Sequence, residues 1–223
     1  MHLRDNMVKS ILIVTVLSIL GKITGFMRET VIAAYYGAGG VTDAFFVAFS
    51  LPSLLFFVIG ASMGVIFIPM YAQQLKEKPE DSHSFVSNII NMILLVSLLS
   101  SIIGVTFSEY ILKLIAPRLL EKSLTIASAL TRIMFPMFIF IGLSYIMTGV
   151  LQSHESFVVP SLVSIPSNMI IVLGTVLFSK KYSIYALAWA TLIGAISQLL
   201  VQIPAVAKKL NIGFTSILIN LMF

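Results

Sequence analysis

Six stretches of the chain, at Met7 to Tyr36, Thr42 to Tyr71, Phe85 to Phe107, Leu124 to Leu151, Phe157 to Phe178 and Ile184 to Ala207, are almost continuously apolar. Each is at least as long as the roughly 20 residues a helix needs to cross the hydrocarbon core of a bilayer. Inside that core every backbone N–H and C=O must find its partner within the protein, which leaves helices or a closed barrel. Barrel strands alternate apolar and polar residues over about ten positions, and these runs do not alternate. The chain is therefore expected to be an all-α integral membrane protein with six transmembrane helices. The sparsity of charge agrees: 14 basic and 9 acidic residues in 223, where a soluble domain of this size carries roughly 56. Residues 1–207 are expected to form one six-helix lobe, and residues 208–223 a short C-terminal tail.

Several functions fall away on composition. Cysteine is absent, so disulfides, thiolate metal sites and cysteine nucleophiles are excluded together. His2, His83 and His154 are far apart in the sequence, and neither a metal site nor a cofactor is expected. No phosphate-binding P-loop, nucleophile elbow or H-E-x-x-H zinc motif occurs, so the chain is not expected to be an enzyme. The net charge of +5 fits basic loops against anionic lipid better than nucleic acid, because no basic face interleaved with aromatics exists. Arg4 and Lys9 precede a short apolar run as in a signal peptide. No small-x-small cleavage site follows, so a retained first helix is expected. With six spans both ends share one side, carrying Arg4, Lys9, Lys76, Lys78, Lys208 and Lys209, against Lys113, Arg118, Lys122, Lys180 and Lys181 opposite. The turn after the first span has no basic residue, and a cytoplasmic N-terminus is expected.

The first span holds charges that hydrocarbon does not tolerate: Lys22, Arg28 and Glu29. At about 100° per residue, Thr15, Ser18, Gly21, Lys22, Gly25, Arg28 and Glu29 fall within a wedge of roughly 140°. Such a face either lines a wet cavity that holds an anion, or is a structural patch in which Lys22 and Glu29 offset one another. Gly21 and Gly25 form a G-x-x-x-G pair on it, which permits close helix packing or a bend. In the second span Asp43 stands at the helix start, either as an N-terminal acid or at a cavity rim, and Pro52 interrupts the run, predicting a kink. Arg132 in the fourth span is expected to snorkel to the outer interface ahead of Pro136, and Gln198 and Gln202 in the sixth to serve packing.

Taken together, Gly21-Lys-Ile-Thr-Gly-Phe-Met-Arg-Glu29, Tyr36-Gly-Ala-Gly39, Thr42-Asp-Ala-Phe-Phe-Val-Ala-Phe49 and Leu51-Pro52 resemble the opening of the MurJ (MviN) lipid II flippase family. That family belongs to the superfamily that also holds multidrug exporters and O-antigen flippases. The likeness continues through Leu130-Thr-Arg-Ile-Met-Phe-Pro136, Gly149-Val-Leu-Gln-Ser153 and Ala186-Leu-Ala-Trp-Ala190 to Gln202-Ile-Pro204, and so covers essentially the whole chain.

The resemblance implies a carrier in the bacterial cytoplasmic membrane that moves the undecaprenyl-pyrophosphate-linked peptidoglycan precursor, lipid II, between leaflets by alternating access. It implies a cationic cavity for the diphosphate, with Lys22 at a position usually arginine, Arg28 a cavity arginine, Glu29 its acidic neighbour and Asp43 the acid that opens the second helix. Lysine at position 22 keeps the charge and loses the two-pronged guanidinium grip. Gly21, Gly25 and Pro52 would be hinge points. Phe56 and Phe57 stand where the family often has basic residues, and Ala61 where it has an acid. Family members have twelve or fourteen helices in two lobes, and six spans correspond to the N-terminal lobe alone. The other lobe would come from another chain or from a second copy in a homodimer; otherwise the chain is a truncated or accessory fragment without transport of its own. Within the transporter reading, the alternative substrate is another lipid-linked oligosaccharide. A cation exporter is disfavoured because the central charge is basic.

Overall fold

The structure is a computed structural model that describes residues 2–117 and 119–210, the side chains of residues 2–7 excepted. Arg118, the Arg4 side chain and the tail from Asn211 to Phe223 lie outside the described residues. Among the described residues all regular structure is helical: α1 (His2–Tyr36), α2 (Gly40–Ser62), α3 (Ile68–Glu77), α4 (Ser82–Thr106), α5 (Ser108–Ile115), α6 (Glu121–Met134), α7 (Met137–Ser153), α8 (Val158–Leu162), α9 (Ser164–Tyr182) and α10 (Ile184–Leu210). A π-helical turn, Met63–Phe67, joins α2 to α3 without a break, so that Gly40–Glu77 is one long span.

Among the described residues five helices are long and apolar enough to cross a membrane, and the bent pair α6 and α7, when counted as one span, makes six. The six expected runs are thus present, with one of them broken: α6 and α7 meet at 44° across Phe135 and Pro136. Proline lacks the N–H that would continue the ladder, and its ring crowds the carbonyl four residues earlier. Pro52 has a milder consequence, since α2 runs through it as a helix. The five-residue hydrogen-bond spacing appears further on, at Met63–Phe67.

α7 is the central helix. Its Met137 and Phe138 join Phe45, Leu51, Phe56, Leu130 and Leu187 in one core cluster, while its Ile146, Val150 and Leu151 join Phe67, Tyr71, Ile90 and Ile203 in a second. Close approach is bought with small residues. Gly149 leaves room for the Phe67 ring, where a Cβ would lie 2.6 Å from it, and Gly104 does the same for Phe135. Outward-facing aliphatic and aromatic side chains, among them Phe26, Phe57, Val65 and Leu177, make the surface apolar in the manner of a lipid-facing bundle.

α1 stands at the margin and packs on α8 and α9. It ends at Gly37, whose φ of +65° is the left-handed conformation that spares a Cβ clash. Gly37 N–H donates to Ala33 O at 2.9 Å, and the Thr42 hydroxyl donates back to Gly37 O at 2.9 Å. This closed turn fixes where α2 begins and places Asp43, exposed, in its first turn.

Candidate functional site

The polar wedge of α1 is divided in two by the packing of α9. Gly21, Gly25 and Arg28 face α9, where a Cβ on Gly21 would lie 2.6 Å from Ser164 Oγ and one on Gly25 3.6 Å from Asn168 Nδ2. Lys22 and Glu29, on the flank of that contact, are exposed. The glycine pair therefore serves helix contact in this conformation, and α1 is continuous through both glycines.

Asn168 organises the buried half. It is 6% exposed and joins three residues of α1. Its Nδ2 donates to Thr24 Oγ1 at 3.2 Å and to Gly21 O at 3.4 Å, and its Oδ1 accepts from Arg28 Nη1 at 3.2 Å. Arg28 is held on its other side by Glu29, whose Oε1 accepts from Nε at 3.2 Å and from Nη2. The guanidinium is thereby fixed in orientation between an amide and a carboxylate. Arg28 and Glu29 also line a narrow cleft between α1 and α2 with Phe45, Phe46 and Phe49.

Lys22 lies six residues before Arg28, about 9 Å along the axis, at the midpoint of the Val8–Tyr36 span. Among the described residues it has neither an ion pair nor a hydrogen bond, and neither does the Asp43 carboxylate. Of the four charged residues expected at the site, the structure brings Arg28 and Glu29 together, leaves Lys22 free at mid-span, and sets Asp43 at the mouth of α2, three residues before cleft-lining Phe46.

A second polar seam continues from α9 into the core. Ser167, next to Asn168 but turned toward α10, accepts from Gln198 Nε2 at 3.1 Å. Gln202, fully buried, donates to Ser144 Oγ at 2.6 Å and accepts from Thr148 Oγ1 at 2.8 Å. A line of amides and hydroxyls thus links α1, α9, α10 and α7. Gln198 and Gln202 carry helix contacts here, as their sequence positions suggest. Asn168 was not singled out from sequence, although an amide inside an apolar run, just after Pro166, is itself a signal of interhelical hydrogen bonding. Arg132, weighed as a snorkelling residue, donates from Nε to Ser108 Oγ at 3.0 Å.

Comparison with known proteins follows the same outline. The family model described as lipid II flippase MurJ matches residues 32–217, beginning after Lys22, Arg28 and Glu29. A probable lipid II flippase MurJ of Buchnera aphidicola subsp. Schizaphis graminum is 36% identical over 219 residues, covering 95% of this chain and 42% of the relative. Lipid II flippase MurJ of Burkholderia cenocepacia is 31% identical over 209 residues, covering 91% and 40%. Among solved structures, lipid II flippase MurJ in an inward closed conformation superposes with a TM-score of 0.78 at 29% identity, over 88% of this chain and 42% of that one. A MOP superfamily transporter from Pyrococcus furiosus shares the fold, with a TM-score of 0.69 at 13% identity. The chain spans about two fifths of the length of the curated relatives it matches. With the family model matched over most of its length and an all-helical, multi-span bundle that superposes on a member, the chain belongs to the lipid II flippase MurJ family.

Proposed function

We propose that residues 1–207 form the N-terminal lobe of a carrier that moves lipid II across the bacterial cytoplasmic membrane by alternating access, with the N-terminus in the cytoplasm and residues 208–223 leading toward the second lobe. Lys22 and Arg28 meet the diphosphate, Glu29 holds Arg28 in place, and Asp43 stands at the rim. Gly21, Gly25 and Pro52 are the points at which α1 and α2 bend between states. A second lobe, outside these six spans, completes the cavity.

One observation carries the reading: Lys22 is exposed at the midpoint of the Val8–Tyr36 span. A lysine facing lipid at mid-bilayer costs about 2.5–3.5 kcal/mol even on the most lenient scale. Its Cα lies about 20 Å of helix from either end of the span, which puts it near the middle of a hydrocarbon core roughly 30 Å thick, about 15 Å from the headgroups. Snorkelling along its stem does not span that depth. The flank bearing Thr15, Ser18, Lys22 and Glu29 therefore faces water or protein in the working assembly, and a free cation in a low-dielectric cavity attracts a multiply charged anion. A phosphate-linked lipid suits that site, and a cationic drug does not.

The test is growth of cells depleted of their own lipid II flippase and supplied with the intact coding unit that contains this chain. The wild-type sequence should sustain growth, and the Lys22→Ala, Arg28→Ala double variant should fail while inserting to the same level. Growth with the double variant, or none with the wild type, refutes the assignment.

A further inference from the structure

Between α9 and α10 lies an apolar groove of about 420 Å³. Small residues make its floor: a Cβ on Gly174 would lie 2.6 Å from Ala190 Cβ, so the two helices touch there. Leu173, Leu177 and Phe178 stand on one side of it and Trp189 and Ile193 on the other. At about 100° per residue, Ile170, Gly174, Leu177 and Lys181 fall within a wedge of roughly 60° on α9, on the side opposite Asn168. The groove is therefore separate from the face of α9 that meets α1 at Ser164 and Asn168.

One end of the groove has a fixed membrane depth. α9 and α10 belong to consecutive spans, so the turn between them at Ser183 stands at a membrane face. Tyr36, the last residue of α1, donates from Oη to Ser183 O at 3.0 Å, and the ends of three spans thus gather at that level. Tyr182 and Ala186 line the groove beside this turn, and Ile170 and Ile193 line its far end. Ile170 lies about 18 Å down the helix from Tyr182 at 1.5 Å per residue, and the hydrocarbon of one leaflet is about 15 Å deep. The groove runs from a membrane face to the membrane centre and stops.

Its mouth is cationic. Lys180 and Lys181 lie in the last turn of α9, and Lys181 Nζ is 5.2 Å from the centroid of the Tyr182 ring. Among the described residues neither lysine has an ion pair or a hydrogen bond. By its place in the wedge, Lys181 continues the line of the groove outward from the apolar residues. A cation at a membrane face, followed inward by an apolar channel one leaflet deep, complements a phospholipid in charge and in length. A partner helix would need a seam through both leaflets.

We propose that this groove binds an anionic glycerophospholipid of the leaflet on the side of the α9–α10 turn. Its phosphodiester sits at Lys181 with Lys180 adjacent, and one acyl chain lies over Gly174 and Ala190 toward Ile193. The headgroup is outermost and the chain runs inward, whichever way the lobe is inserted. Transport plays no part in the readout that follows, so its result is separate from that of the growth assay.

Trp189 is the single tryptophan of the chain, and at 53% exposed it reports a quencher lying in the groove. In phosphatidylcholine vesicles its fluorescence should be quenched by phosphatidylglycerol brominated along the acyl chains at about fivefold lower mole fraction than by brominated phosphatidylcholine. That is the preference one lysine gives for an anionic lipid, about fivefold. Lys180→Gln with Lys181→Gln should bring the two quenching curves together. Lys76→Gln with Lys78→Gln, at the far end of the Gly40–Glu77 span, should leave them apart. Leu173→Ala with Leu177→Ala lowers an exposed wall of the groove and should narrow the gap. Equal quenching of the wild-type chain by the two lipids overturns the proposal, and that comparison needs no variant to fold. A gap that survives the loss of Lys180 and Lys181, or closes equally on the loss of Lys76 and Lys78, overturns it in favour of attraction by net charge. A gap unmoved by the lowered wall overturns the groove as the place where the chain lies.

Discussion

Replacing Asn168 by leucine keeps the branched side chain of four heavy atoms and removes three hydrogen bonds at once, which isolates what ties α1 to the rest of the lobe. The bonds to Gly21 O and Thr24 Oγ1 are between neutral groups, and interhelical bonds of that kind average about 0.6 kcal/mol each in membranes. The bond from Arg28 Nη1, at 3.2 Å, involves a charge and contributes about 1.5 kcal/mol or more. The expected loss is about 2–3 kcal/mol, in a protein where α1 has few other polar attachments. Equilibrium unfolding in mixed detergent micelles measures it, and a double-mutant cycle with Arg28→Met assigns it. If Arg28 is oriented by Asn168, the two changes are non-additive by about 1–2 kcal/mol. The Asn168→Asp variant provides a further check, since it strengthens the pairing with Arg28 and abandons the two donors to α1. A loss below about 0.5 kcal/mol with additive single changes would show that the glycine contacts alone seat α1 and that Arg28 is oriented by Glu29.

Two further outcomes follow from other parts of the lobe. Gly149→Val places a Cβ 2.6 Å from the ring of Phe67, which is 4% exposed and clustered with the rings of Tyr71 and Phe85; the same unfolding assay should show about 1–3 kcal/mol of destabilisation, and a neutral result would mean the π turn yields freely. His154 caps the end of α7 beside Tyr71 Oη at 3.5 Å, and burial, with Lys209 and His83 adding repulsion, lowers its pKa from the ordinary 6.5. The unfolded chain then takes up the proton first, so stability is full above pH 6.5 and falls as pH drops from there toward the lower folded value. Unfolding midpoints compared between about pH 7.5 and pH 5 should show that slope, flattened in His154→Gln, and an unchanged slope in the variant would remove His154 as its source.

The spans were legible in the sequence because the bilayer imposes one rule over twenty residues, and that rule leaves the same trace whatever the helices pack against. Their internal breaks were not. Pro52 and Pro136 look alike as letters, yet α2 runs through the first while α6 and α7 part by 44° at the second. Pro52 is buried in the core, with α2 held on both sides of it by residues such as Phe45 and Phe56, whereas Pro136 is preceded by Phe135, whose ring is drawn against Gly104 of α4. Tertiary contacts decide between those outcomes, and they are not written locally. α5 was missed for a related reason: eight residues of amphipathic helix never produce a long apolar run, and Phe85 to Phe107 simply appeared to end.

The charged face of α1 shows the same limit from another side. Periodicity correctly gathers Gly21, Lys22, Gly25, Arg28 and Glu29 onto one wedge, but a wedge of roughly 140° is wider than the contact one neighbouring helix makes. Which part of it a neighbour covers depends on where that neighbour carries a complementary group, and here Asn168 of α9 sits opposite Gly21, Gly25 and Arg28. The result separates two cations that sequence places side by side. Arg28 is a fixed group, its direction set by Asn168 and Glu29, and Lys22, without a partner among the described residues, is a free one on a flexible stem at mid-span. A fixed guanidinium suits recognition of a planar pair of oxygens, and a mobile ammonium suits following a charge as it moves. The separation comes from α9 rather than from α1, which is why the sequence of α1 alone does not reveal it.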